Sequence, residues 1–199
     1  MRKKDYEEAI NILKEDGIIA FSTDTLNGIA TSFDNIKGLE KIFVLKKRDK
    51  DKPFALFFSE NIEIEKFFYT SEIFWKIKEK FLPGQLTIVL KAKKIIPSIL
   101  VKDGFASLRI PAEKKILKLI DLYKKPLACT SLNLSGKDVI TEKKEFEKYF
   151  KGVYLFGDLK KKKMPSTVIK IDKKNVEIFR EGVIEKEKIL KFINKESLC

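Results

Sequence analysis

The 199-residue sequence predicts an α/β (α+β) fold: a mixed twisted β-sheet with helices packed on it. Stretches with apolar residues three and four apart alternate with short apolar runs, too irregularly for a pure βαβ series. A hydrophobic content of 44% is enough for a packed core and argues against disorder. No internal repeat or low-complexity linker divides the chain, so residues 1–199 are expected to form one domain.

The elements follow in order. Asp5 or a neighbour caps a first helix to about Lys14, with Ala9, Ile10 and Leu13 on one face and Gly17 as its stop. Ile18–Phe21 reads as a buried strand ending in the polar turn Ser22-Thr23-Asp24-Thr25. Asn35 opens a helix through about Lys47 that buries Leu39, Ile42 and Phe43. Phe54–Phe58 is a strand. Ile62–Phe68 and Glu72–Phe81 are helical, the second stopped by Pro83-Gly84. Leu86–Ala92 and Ala106–Ile110 are strands, Ala112–Lys125 a helix, and Leu127–Thr130 a short strand running into Ser131-Leu132-Asn133-Leu134-Ser135-Gly136. A helix covers about Lys143–Phe150. Strands at Tyr154–Phe156, Thr167–Ile171 and Val176–Arg180 precede a last helix near Lys186–Ile193.

Composition narrows the chemistry. There is no histidine, which excludes a Ser-His-Asp triad, a Cys-His dyad and His-ligated zinc. Two cysteines, Cys129 and Cys199, make neither a disulfide framework nor a zinc set and fit a reducing, cytoplasmic setting. No apolar run reaches the length of a membrane span, and no membrane partner is expected. The net charge of +13 favours polyanionic partners such as nucleotide phosphates or RNA, although lysine runs such as Lys160–Lys163 also suit solvated loops. Only four of the 42 basic residues are arginine: Arg2, Arg48, Arg109 and Arg180. Where nearly every cation is lysine, a retained guanidinium points to two-point recognition of carboxylate or phosphate. Arg2 lies at the terminus and is discounted.

Polar residues collect at strand ends, where open α/β sheets place ligands. Thr23-Asp24-Thr25 follows the first strand; Lys46, Arg48 and Lys52 sit between a helix and a strand; Arg109 closes a strand. Ser131, Asn133 and Ser135 follow another, and Ser166-Thr167 opens one. Neither a P-loop nor a Gly-x-Gly-x-x-Gly fingerprint occurs. Together these clusters describe a cationic pocket lined with hydroxyls and amides, suited to a triphosphate and a small zwitterion.

At these residues the sequence resembles the YrdC/TsaC family of threonylcarbamoyl-AMP synthases. The matching segments are Ser22–Gly28, Lys46-Lys47-Arg48 with Lys52-Pro53, Leu82–Thr87, Leu108–Pro111, Thr130–Gly136, Pro165–Val168 and Arg180–Gly182. They occur in family order, and the chain resembles the short, single-domain members. The resemblance implies a YrdC-like fold with a central cationic cleft. It also implies formation of threonylcarbamoyl-adenylate and pyrophosphate from L-threonine, bicarbonate and ATP, with Mg²⁺ accompanying the nucleotide and no metal site of the protein's own. Implied partners are tRNA, modified beside the anticodon, and the downstream threonylcarbamoyl-transferase complex. By the same resemblance Lys46, Arg48, Ser131 and Asn133 are the catalytic candidates, and Arg48, Lys52, Phe105, Ser131 and Arg180 bind ATP. Thr25, Arg109, Cys129 and Ser166 line the threonine end, Cys129 through its backbone; as a side chain Cys129 reads better as a small buried strand residue. Asn27 and Phe57 stand where the family usually has Tyr and His, and are expected near the amino acid. Two competing readings are a non-catalytic RNA-binding protein (double-stranded RNA included) and carbamoyl transfer from carbamoyl phosphate.

Overall fold

The computed structural model describes residues 1–47, 54–161 and 164–196. Among these residues nine strands form one sheet: β1 (Ile19–Phe21), β2 (Gly28–Ser32), β3 (Ala55–Phe57), β4 (Leu86–Lys91), β5 (Phe105–Arg109), β6 (Leu127–Ser131), β7 (Tyr154–Phe156), β8 (Thr167–Asp172) and β9 (Asn175–Arg180). Their spatial order is β7-β1-β2-β6-β3-β5-β4-β8-β9. The pairs β1–β7, β3–β5 and β4–β8 are parallel and the other five antiparallel, which is the expected mixed sheet. Six α-helices of the described residues pack on it: α1 (Lys3–Lys14), α2 (Ile36–Lys46), α3 (Glu72–Phe81), α4 (Lys114–Tyr123), α5 (Lys143–Tyr149) and α6 (Lys186–Glu196).

Helix starts follow local chemistry. Asn35 caps α2, its side chain accepting from Gly38 N, and Ser71 caps α3 by accepting from Phe74 N. At α1 the cap is Arg2 rather than Asp5; Asp5 sits three positions on and its carboxylate accepts from Arg2 N at 2.7 Å. One expectation fails, and one strand was not anticipated. Residues 62–68 form only a 3₁₀ turn at Ile64–Lys66. Strand β2 has no signal in the sequence, because all five residues of Gly-Ile-Ala-Thr-Ser are buried and so show no alternation.

Two apolar clusters lie on opposite faces of the sheet. The larger joins Leu56, Ile88, Leu90, Leu108 and Ile169 to residues of α2, α3, α5 and α6. The smaller joins Ile19, Phe21, Ala30, Phe57, Leu127 and Cys129 to α1 and α4. Those two helices pack toward the β1 end of this face, and the site lies on the part over β6, β3, β5, β4 and β8, with Gly28 of β2 at its border. No helix among the described residues is long and apolar enough to cross a membrane.

Candidate active site

A cavity of about 560 Å³ lies on that part of the sheet face, within the ~300–1,000 Å³ usual for small-molecule sites. Alternate residues of neighbouring strands line it: Ala55 and Phe57, Thr87 and Val89, Ser107 and Arg109, Cys129 and Ser131, Ser166 and Val168. Register places Cys129, Ala55, Ser107, Val89 and Lys170 in one row across five strands. The first three are small, and that makes room. Gly28 extends the floor: a Cβ there would lie 2.8 Å from Cys129 Sγ. The site is therefore a bed on the sheet face, where the sequence pointed only to loops at strand ends.

The turn after β1 supplies one wall. Arg109 is 4% exposed, and each part of its guanidinium has a partner. Nη2 donates to Asp24 Oδ1 at 2.7 Å, Nη1 to Thr25 Oγ1 at 2.6 Å, and Nε to Gly84 O at 3.2 Å. The Phe57 ring packs against it with 5.4 Å to the ring centre. Burial pulls the Arg109 pKa down, and the adjacent Asp24 carboxylate opposes that shift.

Arg180 stands across the cavity, donating to Ser166 O at 2.8 Å from Nη2 and at 3.2 Å from Nε. It has no ion pair among the described residues. Partial burial and the like charge of Arg109 lower its pKa, so both cations act on one space. Ser166 Oγ shares a hydrogen bond of 2.8 Å with Thr87 Oγ1. At the outer end Lys170 Nζ lies 3.9 Å from the centre of the Phe105 ring, and Lys102, Asp103 and Phe179 complete the rim.

Of the residues expected from sequence, Thr25, Phe105, Arg109, Cys129, Ser131, Ser166 and Arg180 meet at this cavity. Arg48 and Lys52 lie outside the described residues. Lys46 and Asn133 differ from expectation, since neither lines the cavity. Lys46 is fully buried, and its ammonium donates to Ser131 O, to Asn133 O at 2.7 Å and to Asn133 Oδ1 at 2.9 Å. Asn133 Oδ1 also accepts from Ser131 Oγ at 2.7 Å. In this geometry both residues hold the loop that presents Ser131.

Asn27 and Phe57 do line the cavity. The Asn27 amide is engaged elsewhere: Nδ2 donates to Ile140 O and Lys160 O, and Oδ1 accepts from Lys160 N. Burial of the Cys129 thiol pushes its pKa up to about 12, so it stays protonated. The sequence places Thr23 and Asp24 in the polar cluster after the first strand but with no role of their own, and Thr87 and Lys170 were missed as site residues. The signal for the strand residues was alternation: Thr87 and Val89 flank the core residue Ile88, and Ser107 and Arg109 flank Leu108.

Comparison with known proteins bears on family and fold. The Sua5/YciO/YrdC family model, described as Telomere recombination, matches residues 11–182. A relative in Methanocaldococcus jannaschii, provisionally named a threonylcarbamoyl-AMP synthase, is 37% identical over 196 residues, covering 95% of this chain and 93% of its own. The threonylcarbamoyl-AMP synthase of Pyrococcus abyssi is 27% identical over 94% of this chain, which spans 56% of that protein's length. The P. abyssi Sua5 structure, solved with L-threonine, superposes with a TM-score of 0.89 at 26% identity, over 97% of this chain and 58% of that one. Escherichia coli YciO shares the fold, with a TM-score of 0.82 and 22% identity over 92% of both chains.

Proposed function

The chain belongs to the Sua5/YciO/YrdC family, and from that premise we propose that it is a cytoplasmic nucleotidyltransferase making threonylcarbamoyl-adenylate. L-threonine, bicarbonate and ATP are its substrates; pyrophosphate and water are the other products. The adenylate then serves a threonylcarbamoyl-transferase complex that modifies a tRNA adenosine beside the anticodon.

One observation carries this reading. Arg109, Arg180, Ser131, Ser166 and Thr25, drawn from five separate sequence segments, surround a single cavity with room for more than an amino acid. Dispersed over several faces, they could not serve one condensation.

The reaction joins the amino nitrogen to the carbon of bicarbonate or carbon dioxide. A carbamate oxygen then attacks the α-phosphorus while the bond to the β-phosphate oxygen breaks. Charge develops on the phosphates, so positioning and fixed positive charge are the protein's main contributions. Arg109 and Thr25 hold the amino acid; Arg180 and Ser131 face the nucleotide, and Arg48 and Lys52 are assigned to it by the family resemblance alone. Lys46 and Asn133 act behind Ser131. The cavity lining includes one carboxylate, Asp103, and no group of three or more potential metal ligands occurs among the described residues. That donor set suits Mg²⁺ arriving on the phosphates, where the ion would neutralise charge on the leaving pyrophosphate.

The test is pyrophosphate release by the purified protein with ATP and Mg²⁺. Release should require both threonine and bicarbonate. Turnover with carbamoyl phosphate in their place would support carbamoyl transfer, and no turnover with steeply salt-dependent RNA binding would support the RNA-binding reading.

A further inference from the structure

Two pairs of hydroxyls border the cavity, and hydrogen-bond accounting treats them differently. A threonine hydroxyl has one proton to donate and two sites to accept. Thr23 Oγ1 lies 2.7 Å from Leu26 O, a carbonyl that can only accept, so the Thr23 proton is committed there. The same oxygen accepts from Thr25 N at 3.0 Å. Its remaining contact is Thr25 Oγ1 at 3.0 Å, and since Thr23 has no second proton, Thr25 must be the donor. Thr25 Oγ1 also accepts from Arg109 Nη1 at 2.6 Å, which leaves it one acceptor site and no proton. The pair formed by Thr87 and Ser166 has no such constraint, because either hydroxyl can donate to the other.

We infer that Thr23 fixes the direction of the Thr25 hydroxyl, making Thr25 an obligate hydrogen-bond acceptor in the amino-acid end of the cavity. The inference rests on the threonine-using reading above and deepens it. A ligand carboxylate cannot sit on Thr25 Oγ1, where two acceptors would face each other. An N–H or O–H of the ligand can. The carboxylate is left to Arg109, which uses three of its five N–H groups in its bonds to Asp24, Thr25 and Gly84. Acceptor and donor fork are adjacent, as the amino and carboxylate groups of one α-amino acid require. Thr23 also lines the cavity, but it acts through Thr25 and is a positioning residue.

The experiment compares the wild-type protein, Thr23→Val and Thr23→Ser in threonine-dependent pyrophosphate release. Valine keeps the shape and removes the acceptor, freeing the Thr25 proton to turn toward the ligand. The KM for threonine should rise about tenfold, the weight of one hydrogen bond to a charged donor, with kcat changed less than about threefold. Serine should restore the wild-type KM. L-2-aminobutyrate, which lacks the side-chain hydroxyl, and 3-hydroxybutyrate, which lacks the amine and has no donor in its place, are titrated calorimetrically against both proteins. The analogue whose binding is unaffected by Thr23→Val lacks the group that Thr25 reads. An unchanged threonine KM in folded Thr23→Val overturns the inference, as does a raised KM that serine does not restore. Should the valine variant not fold, Thr23→Cys, a weak acceptor, must show the same KM rise or the inference fails. A wild-type protein that neither binds threonine nor releases pyrophosphate overturns the proposed function instead.

Discussion

Asp24 Oδ1 and Arg109 Nη2 meet at 2.7 Å as an ion pair almost closed to solvent, with side-chain exposures of 14% and 5%. The pair couples the turn after β1 to the end of β5 and holds the plane of the guanidinium. Removing one partner of a buried pair strands the other charge, at a cost of about 3–5 kcal/mol. Asp24→Ala should therefore lower the unfolding free energy by an amount in that range, read from urea denaturation, and Asp24→Asn by less. Equal stability of Asp24→Ala and the wild type would show that the pair is not structural.

Arg109→Lys keeps the charge but cannot reach Asp24, Thr25 and Gly84 from one planar group. Threonine-dependent kcat/KM should fall by the equivalent of about 2–5 kcal/mol, with ATP binding weakened far less. Parallel titrations with threonine and with a non-hydrolysable ATP analogue separate the two. Equal losses for both ligands would remove Arg109 from the amino-acid end.

Lys46→Met replaces a buried ammonium by a chain of similar length. Ser131 O, Asn133 O and Asn133 Oδ1 then lose a shared donor, each at roughly 1–3 kcal/mol if it stays dry. The expected outcome is a lower melting temperature together with loss of pyrophosphate release, since Ser131 is no longer held. A variant that keeps its stability and loses only affinity for ATP would return Lys46 to direct phosphate contact.

Gly28→Ala and Cys129→Ala should be strongly coupled. An alanine Cβ at position 28 would sit 2.8 Å from Cys129 Sγ, so the single variant is strained and its cavity floor rises. In the double variant the sulfur is gone and part of the loss should return, giving a coupling of about 0.5–3 kcal/mol in a double-mutant cycle. Simple additivity would mean that the backbone yields there.

Alkaline conditions should expose the buried thiol. The Cys129 pKa is raised to about 12 in the folded protein, while an unfolded thiol ionises near its ordinary 9. Above that lower value the unfolded state binds fewer protons, so stability falls as pH rises through the interval between the two. Tyr154, pushed up to about 12 by burial and by Glu8, contributes in the same direction above its ordinary 10. Cys129→Ala combined with Tyr154→Phe should flatten the alkaline limb of the melting-temperature profile.

The arginines were legible because composition isolates them, and Arg109 and Arg180 do face one cavity. Most elements were legible too: α3 and β7 have the expected bounds, and the caps at Asn35 and Ser71 follow local chemistry. Strand β2 was not, since a strand buried on both faces has no period to read. Nor was the role of Lys46. Its carbonyl partners lie more than 80 positions away, and only the tertiary fold brings the end of α2 beneath the end of β6. The direction of the Thr25 proton needs distances, which no residue pattern contains.

The alternation of β3, β4 and β5 also gives the protein evolutionary latitude. Ala55, Val89 and Ser107 form part of the ligand bed, while Leu56, Ile88 and Leu108 on the reverse side belong to the largest core. Adjacent codons thus address different properties. Ala55 also packs against the smaller core, so exchange at Val89 or Ser107 is what reshapes the bed and leaves the core contacts alone, whereas truncating the second three to alanine costs about 2–5 kcal/mol each and leaves the bed its own side chains. A single exchange on the bed side of β4 or β5 can therefore reshape the cavity while the core face of the same strand keeps its packing.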